Sequence, residues 1–199
     1  ITLAGEWTPL NRGGLGPFMG MYDGAGHQVT GLSVTGNGQR VGLFASLSGA
    51  AIRNLTVRGS VAGDVYVGML VGEATQSNIS NITVSGAVNG TGIGNLVGGV
   101  AGSYITLGGV DSAMSGIRAS ATVTAAWSPT YVGGVVGFAQ SQDGALTLSD
   151  IVVSGDVSAP DATEVGGLAG AITSIGAGTP LVVADVRVSG NVTGSDWVG

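Results

Sequence analysis

His27 is the one histidine in the chain and there is no cysteine, so a Ser-His-Asp triad or a histidine-rich metal centre would have to be built around this imidazole. Its setting, Asp23-Gly24-Ala25-Gly26-His27-Gln28-Val29, reads as a turn entering a strand, with Asp23 capping the bend and the glycines taking positive φ. No serine stands in a Gly-x-Ser-x-Gly elbow and no thiol nucleophile exists. Cleavage of a glycosidic bond needs paired carboxylates on one face. Asp150 and Asp156 share a strand, but their counterparts elsewhere in the chain are Asn54 with Ser60 and Asn81 with Ala87, so the acidic residues do not converge. Asp156 and the loop pair Asp161 and Glu164 could hold a cation weakly, yet the Gly-Gly-x-Gly-x-Asp nonapeptide and the EF-hand spacing are both absent. The expectation is a chain with no catalytic residue, no bound metal and no cofactor.

What remains for surface chemistry is small and hydroxylic. Arg58, Ser85, Ser120, Ser154 and Ser189 fall at one outward position in successive copies of a repeat, flanked by Thr56, Thr83 and Arg118. A flat row of this kind could contact a cell-surface glycan, ice or another rod; the plainer reading is a solvated strand face. It lacks the tandem Thr-x-Thr ladder of an ice-binding plane. Asn-x-Ser/Thr triplets at Asn54, Asn78, Asn81, Asn89 and Asn191 are glycan acceptors wherever N-glycosylation operates. Trp127 and Trp197 each precede a short apolar phrase, and Trp197 corresponds by position to Tyr131 and Tyr66, which suggests packing at a bend rather than a sugar platform.

These residues are positioned by two phrases in fixed order. The first is Val41-Gly42-Leu43-Phe44-Ala45, Val67-Gly68-Met69-Leu70-Val71-Gly72, Val97-Gly98-Gly99-Val100-Ala101-Gly102, Val132-Gly133-Gly134-Val135-Val136-Gly137 and Val165-Gly166-Gly167-Leu168-Ala169-Gly170, with a start at Val198-Gly199. The second, Ile52-x-Asn54-Leu55-x-Val57-x-Gly59-x-Val61, recurs at 79–88, 114–123, 148–157 and 183–192. First-phrase starts at 41, 67, 97, 132, 165 and 198 are spaced by 26, 30, 35, 33 and 33 residues. Such a steady period marks a repeat architecture, and its drift places extra residues in loops at 75–78, 103–113, 139–145 and 172–179.

Within the second phrase the period is two: Leu55, Val57, Gly59 and Val61 point one way and Thr56, Arg58 and Ser60 the other. β-Branched and leucine columns separated by Gly and Asn fit strands rather than helices. The first phrase reads as one short strand buried where backbones approach closely. Asn54, Asn81, Asp150 and Asp185 share a column, with Gly31 and Gly116 in the remaining copies. Side chains there can bond a bend or the next coil. The predicted fold is all-β: a parallel β-solenoid of about six coils, right-handed by the crossover rule, roughly 30 Å long at about 4.8 Å per coil. A β-propeller needs about 40 or more residues per blade, too many for the shortest repeat.

Residues 1–40 differ from the rest, and Trp7, Phe18 and Tyr22 suit an N-terminal cap over an open apolar end. The expected divisions are 1–40 for the cap and first partial coil, then repeats at 41–66, 67–96, 97–131, 132–164 and 165–197, with another beginning at 198. Among 199 residues there are 39 Gly, 5 Pro and 44% hydrophobic residues, which excludes a disordered linker. The six basic residues are all Arg and scattered, and net charge is −6; nucleic acid is therefore not an expected partner. The uncharged stretch 93–110 is long enough for a membrane span, but its glycine spacing is that of the repeat, and no span is expected. Ile1 at the start and the incomplete phrase at Val198-Gly199 suggest a piece of a longer mature protein.

The pair of phrases resembles the GLUG repeat of bacterial and archaeal surface proteins, over residues 41–199, and the lead-in from Trp7-Thr8-Pro9 to Gly26-His27 is similar to the opening that often precedes such repeats. Phe44-Ala45-Ser46 in place of the final Gly, and Gly116 in place of Asn, are the departures. The resemblance implies an adhesin or exoprotein repeat region and carries over no catalytic residue. The expectation is thus a non-enzymatic structural or adhesive module, a rigid extracellular or cell-surface stalk whose partners are neighbouring repeats. The alternatives are a filament subunit that stacks with further copies of itself, and a polysaccharide-binding or polysaccharide-degrading β-helix.

Overall fold

The computed structural model describes the whole chain except residues 13, 15, 37, 127 and 177–179. Trp127 therefore lies outside the described residues. A partial turn holds β1 (Met21–Asp23) and β2 (Gln28–Val34). The first complete turn is β3 (Arg40–Val41), β4 (Phe44–Ser48) and β5 (Ala51–Gly63), and the second is β6 (Tyr66–Gly68), β7 (Val71–Thr75) and β8 (Asn78–Gly90). In the third, β9 (Leu96–Gly98) and β10 (Ala101–Thr106) precede a divided long strand, β11 (Ser112–Ala119) and β12 (Thr122–Ala125). The fourth repeats this as β13 (Tyr131–Gly133), β14 (Val136–Gln142), β15 (Leu146–Val153) and β16 (Val157–Ala159). The fifth is β17 (Glu164–Gly166), β18 (Ala169–Ile175), β19 (Leu181–Val188) and β20 (Val192–Gly194), followed by β21 (Trp197–Val198).

Every named strand pairing is parallel, and the strands stack into three sheets. A short face runs β3-β6-β9-β13-β17-β21, a middle face β4-β7-β10-β14-β18, and a long face holds the second phrase. The chain is a parallel β-solenoid, with five complete turns among the described residues rather than six. No helix occurs among them.

The core is built from columns, one residue per turn. Along the long face Ile52, Ile79, Met114 and Leu148 stack in register, as do Leu55, Ile82, Ile117 and Ile151, and Val57, Val84, Ala119 and Val153. All are buried. Between the first and second of these columns the alternation slips by one residue, because the intervening position takes positive φ: Asn54 (55°), Asn81 (53°), Gly116 (66°), Asp150 (49°) and Asp185 (53°). Gly, Asn and Asp tolerate this conformation best, which explains the shared column read from the sequence.

The first phrase is not a single strand. Its two halves end one strand of the short face and begin one of the middle face, with a two-residue corner between them, as at Met69-Leu70 between β6 and β7. The glycines serve this corner. A Cβ on Gly98 would lie 2.1 Å from the Ala101 carbonyl oxygen, and one on Gly68 would lie 2.5 Å from that of Val71. The loops also begin later than predicted within the third, fourth and fifth turns. Parallel pairing carries β10 to Thr106, β14 to Gln142 and β18 to Ile175. Buried hydroxyls close those ends: Thr106 Oγ1 donates to the Gly144 carbonyl and accepts from the Gln142 amide, and Ser141 Oγ donates to Gly144 as well.

Residues 1–20 cover the first turn. Leu3 N–H donates to the Thr30 carbonyl and Thr30 N–H to that of Ile1, Leu10 brackets Leu43 and Ala45, and Phe18 brackets Ser46 and Ser48. Trp7 Nε1 donates to the Leu43 carbonyl at 3.1 Å, and the Phe18 and Tyr22 rings lie 5.4 and 5.8 Å from that of Phe44.

Candidate functional site

The long face offers the widest outward surface. Its registered rows are Thr56, Thr83, Arg118, Val152 and Arg187, and, beyond the bend, Ala62, Asn89, Thr124, Ser158 and Thr193. The row singled out in the sequence lies between them. Arg58 stands opposite Ser85. Ser120, Ser154 and Ser189 sit just past the ends of β11, β15 and β19, each with its amide bonded to the turn below. Arg58 and these three serines are exposed, and Ser85 is half-buried.

Two of the hydroxyls in this row are engaged within the protein. Ser120 Oγ donates to the Val84 carbonyl and Ser189 Oγ to the Val153 carbonyl, both at 3.2 Å. Each points along the stack rather than out to solvent. The carboxylates on this face do the same work. Asp156 Oδ1 accepts from the Asn191 amide at 2.8 Å, and Asp150 accepts from Arg118 through both its carboxylate and its main-chain carbonyl. Asp23 accepts from the Asn54 amide nitrogen, the Ala25 backbone and Arg53, and Asn81 Nδ2 in turn donates to Asn54 Oδ1 at 3.1 Å. These bonds, with that from Asn54 the largest, hold the Asp23 carboxyl below its ordinary range. A polar ladder thus runs from Asp23 through Asn54 and Asn81 of the positive-φ column and stops at Gly116.

His27 is exposed in the turn between β1 and β2. Its amide donates to the Gly24 carbonyl and its own carbonyl accepts from Thr56. Asp23 caps this bend, but positive φ falls on Ala25 and Gly26. Gly24 is glycine for another reason: its Cβ would lie 2.5 Å from the Asn54 carbonyl oxygen. Asp161 is exposed in a turn, and Glu164 is half-buried in β17. Among the described residues no three His, Asp or Glu side chains cluster in the manner of a metal centre.

Reading the sequence missed a polar cleft of about 470 Å³ between Asn11, Arg12 and Pro17 and the middle face. One wall carries the 2.5 Å ion pair of Arg40 and Glu73, and Arg40 also lies 5.7 Å from the Tyr66 ring centroid. Glu73 stands among small residues at its register position, Ser46 and Ser103, and that isolated charge was the available signal. Trp197, Tyr131 and Tyr66 do share one column of the short face, with Leu96 and Glu164 between them. Tyr131 stacks on Phe138 at 5.3 Å, while Trp197 is 75% exposed.

Part of the chain is similar to Halomucin. The likeness to this protein of Haloquadratum walsbyi (strain DSM 16790 / HBSQ001) is 32% identity over 163 residues, 69% of this chain. The chain spans about 2% of the length of that relative. No family model matches the chain, and no solved structure matches it. The resemblance to the GLUG repeat therefore rests on its two phrases.

Proposed function

We propose that the chain is a non-catalytic repeat module of GLUG type, serving as a rigid stalk or adhesive segment of an extracellular surface protein. One observation supports this reading above the others: a set of polar side chains on the long face bonds from one turn to the next, as Ser120 does to Val84, Asp156 to Asn191 and Arg118 to Asp150. Such side chains stiffen a stack. The partial likeness to Halomucin, of which the chain spans about 2%, agrees with a place in a very long protein. Small-angle X-ray scattering across a concentration series tests it. A single short prism of constant mass is expected, and release of reducing ends from polysaccharides by the purified chain would overturn the non-catalytic reading.

A second reading is end-to-end stacking into a filament. In it the strand edges of one copy add to those of the next by parallel pairing. Mass that grows with concentration in the same scattering series would replace the stalk with the filament. Weak glycan contact through the hydroxyl face is compatible with either arrangement.

A further inference from the structure

The five Asn-x-Ser/Thr triplets have identical sequence credentials, but the fold divides them by what surrounds the side-chain nitrogen that a glycan would occupy. Asn54 and Asn81 sit at the positive-φ bend. Asn54 Nδ2 lies 3.0 Å from Asp23 Oδ1 and Asn81 Nδ2 lies 3.1 Å from Asn54 Oδ1. On its other side Asn81 is closed by the third turn, since a Cβ on Gly116 would lie 2.5 Å from Asn81 Oδ1. Asn54 is half-buried and Asn81 exposed, so what sets the pair apart is engagement of the nitrogen. Each Nδ2 is held in a ladder whose side chains follow one another at the spacing of the turns, about 4.8 Å, and a pyranose on either nitrogen would have to displace that ladder.

Asn78, Asn89 and Asn191 have a different setting. Asn78 opens β8, Asn89 precedes its last residue, and Asn191 precedes β20; all three are exposed. Only their amide oxygens are engaged, where they are engaged at all: Asn78 Oδ1 accepts from the Ala113 backbone and Asn89 Oδ1 from Thr124. Among the described residues no hydrogen bond is made by Nδ2 of any of the three. A glycosylated asparagine keeps its carbonyl oxygen as an acceptor, so both of these bonds survive substitution on nitrogen.

We infer that Asn78, Asn89 and Asn191 are acceptors for N-linked glycan and that Asn54 and Asn81 are not. The donor is a sugar chain linked through phosphate to a lipid. A bond forms between Nδ2 and the anomeric carbon, the bond from that carbon to the phosphate oxygen breaks, and Nδ2 loses one proton. The three sites are carried on the long face, so glycan would clothe the hydroxyl surface and leave the short and middle faces bare. The inference rests on the extracellular reading above.

The test is secretion of this chain from a eukaryotic N-glycosylating host, followed by glycopeptide mapping of the folded fraction. Glycan is expected at the three open sites and none at the closed pair. Ser80→Ala, Thr91→Ala and Thr193→Ala, which spare the asparagines, should each remove one glycan mass. Thr83→Ala, which spares the Asn81 amide and its ladder, should remove none. A lost glycan in Thr83→Ala, occupied Asn54, or bare nitrogen at all three open sites would overturn the inference. Bare sites in this host would leave the extracellular reading standing, because passage through the secretory route is supplied by the experiment.

Discussion

Removing the Tyr104 side chain should take a large share of the stability of the solenoid, while removing its hydroxyl alone should cost a fraction of that. Tyr104 is fully buried, the largest side chain in a column whose neighbours in the turns below and above are Ala74 and Ala139. These methyl groups cannot swing into the space a truncation would leave. Tyr104→Ala therefore falls at the upper end of aromatic truncations, about 4–5 kcal/mol, against a total of about 5–15 kcal/mol for an ordinary domain. The hydroxyl donates to the Ser77 carbonyl at 2.6 Å. In Tyr104→Phe that buried acceptor loses its partner, at about 1–3 kcal/mol. With an m-value of about 2 kcal/mol/M, the urea midpoint should drop by roughly 0.5–1.5 M in the Phe variant. Burial also pushes the Tyr104 ionisation up from its ordinary value. Since only the unfolded chain then ionises at about pH 10, the parent should lose stability above that pH, and the Phe variant should lose less. Equilibrium urea unfolding at pH 7 and pH 11 measures both effects. A Phe variant as stable as the parent at pH 7 would refute the hydrogen bond, and an Ala variant as stable as the Phe variant would refute the packed column.

Other perturbations probe other parts of the stack. Gly98→Ala should destabilise by about 1–3 kcal/mol or more through overpacking, because its Cβ would fall 2.1 Å from the Ala101 carbonyl oxygen; an unchanged melting temperature would show that the corner between short and middle faces is misplaced. Val57→Asp places a carboxylate in a fully buried column and should cost about 3–5 kcal/mol or prevent folding, as judged by circular dichroism; a parent-like melt would reverse the inward face. The Asp23 carboxyl is held below its ordinary range by Asn54, Ala25 and Arg53. Its contribution is present above the unfolded-state value of about 3.9 and is lost as pH falls through the lower folded value. Between pH 5 and pH 2 the Asp23→Asn variant should therefore show a shallower fall in melting temperature than the parent, and equal slopes would exclude the carboxylate from the ladder.

Several features of this fold were legible in residue order because each turn repeats the same local problem. Leu55, Val57 and Val61 alternate as an inward face must, and the Asn/Asp/Gly column announced a backbone position that other residues adopt at a cost. The corner was not legible. Val67-Gly68-Met69-Leu70-Val71 looks like one apolar strand, and its division depends on close contact between two sheets that only the closed turn creates. Ser120 and Ser189 were read as outward hydroxyls; each instead bends onto the carbonyl below, a matter of rotamer and coil spacing. The pairing of Leu10 and Phe18 with β4 was hidden for a simpler reason, since residues 1–20 carry no copy of either phrase. Likewise, no pattern ties Arg40 to Glu73, which meet across two faces and two turns.

The stacking itself can be measured because the chain contains no cysteine, so a pair of introduced thiols can be spin-labelled cleanly. Thr56 and Arg187 occupy one registered column, four turn spacings apart through Thr83, Arg118 and Val152. At about 4.8 Å per spacing their backbones should be about 19 Å apart. Labels at Thr56→Cys and Arg187→Cys should give a single narrow distance distribution centred near that value, widened only by the label arms. A broad distribution, or one centred beyond about 35 Å, would contradict a parallel solenoid with one residue of each column per turn.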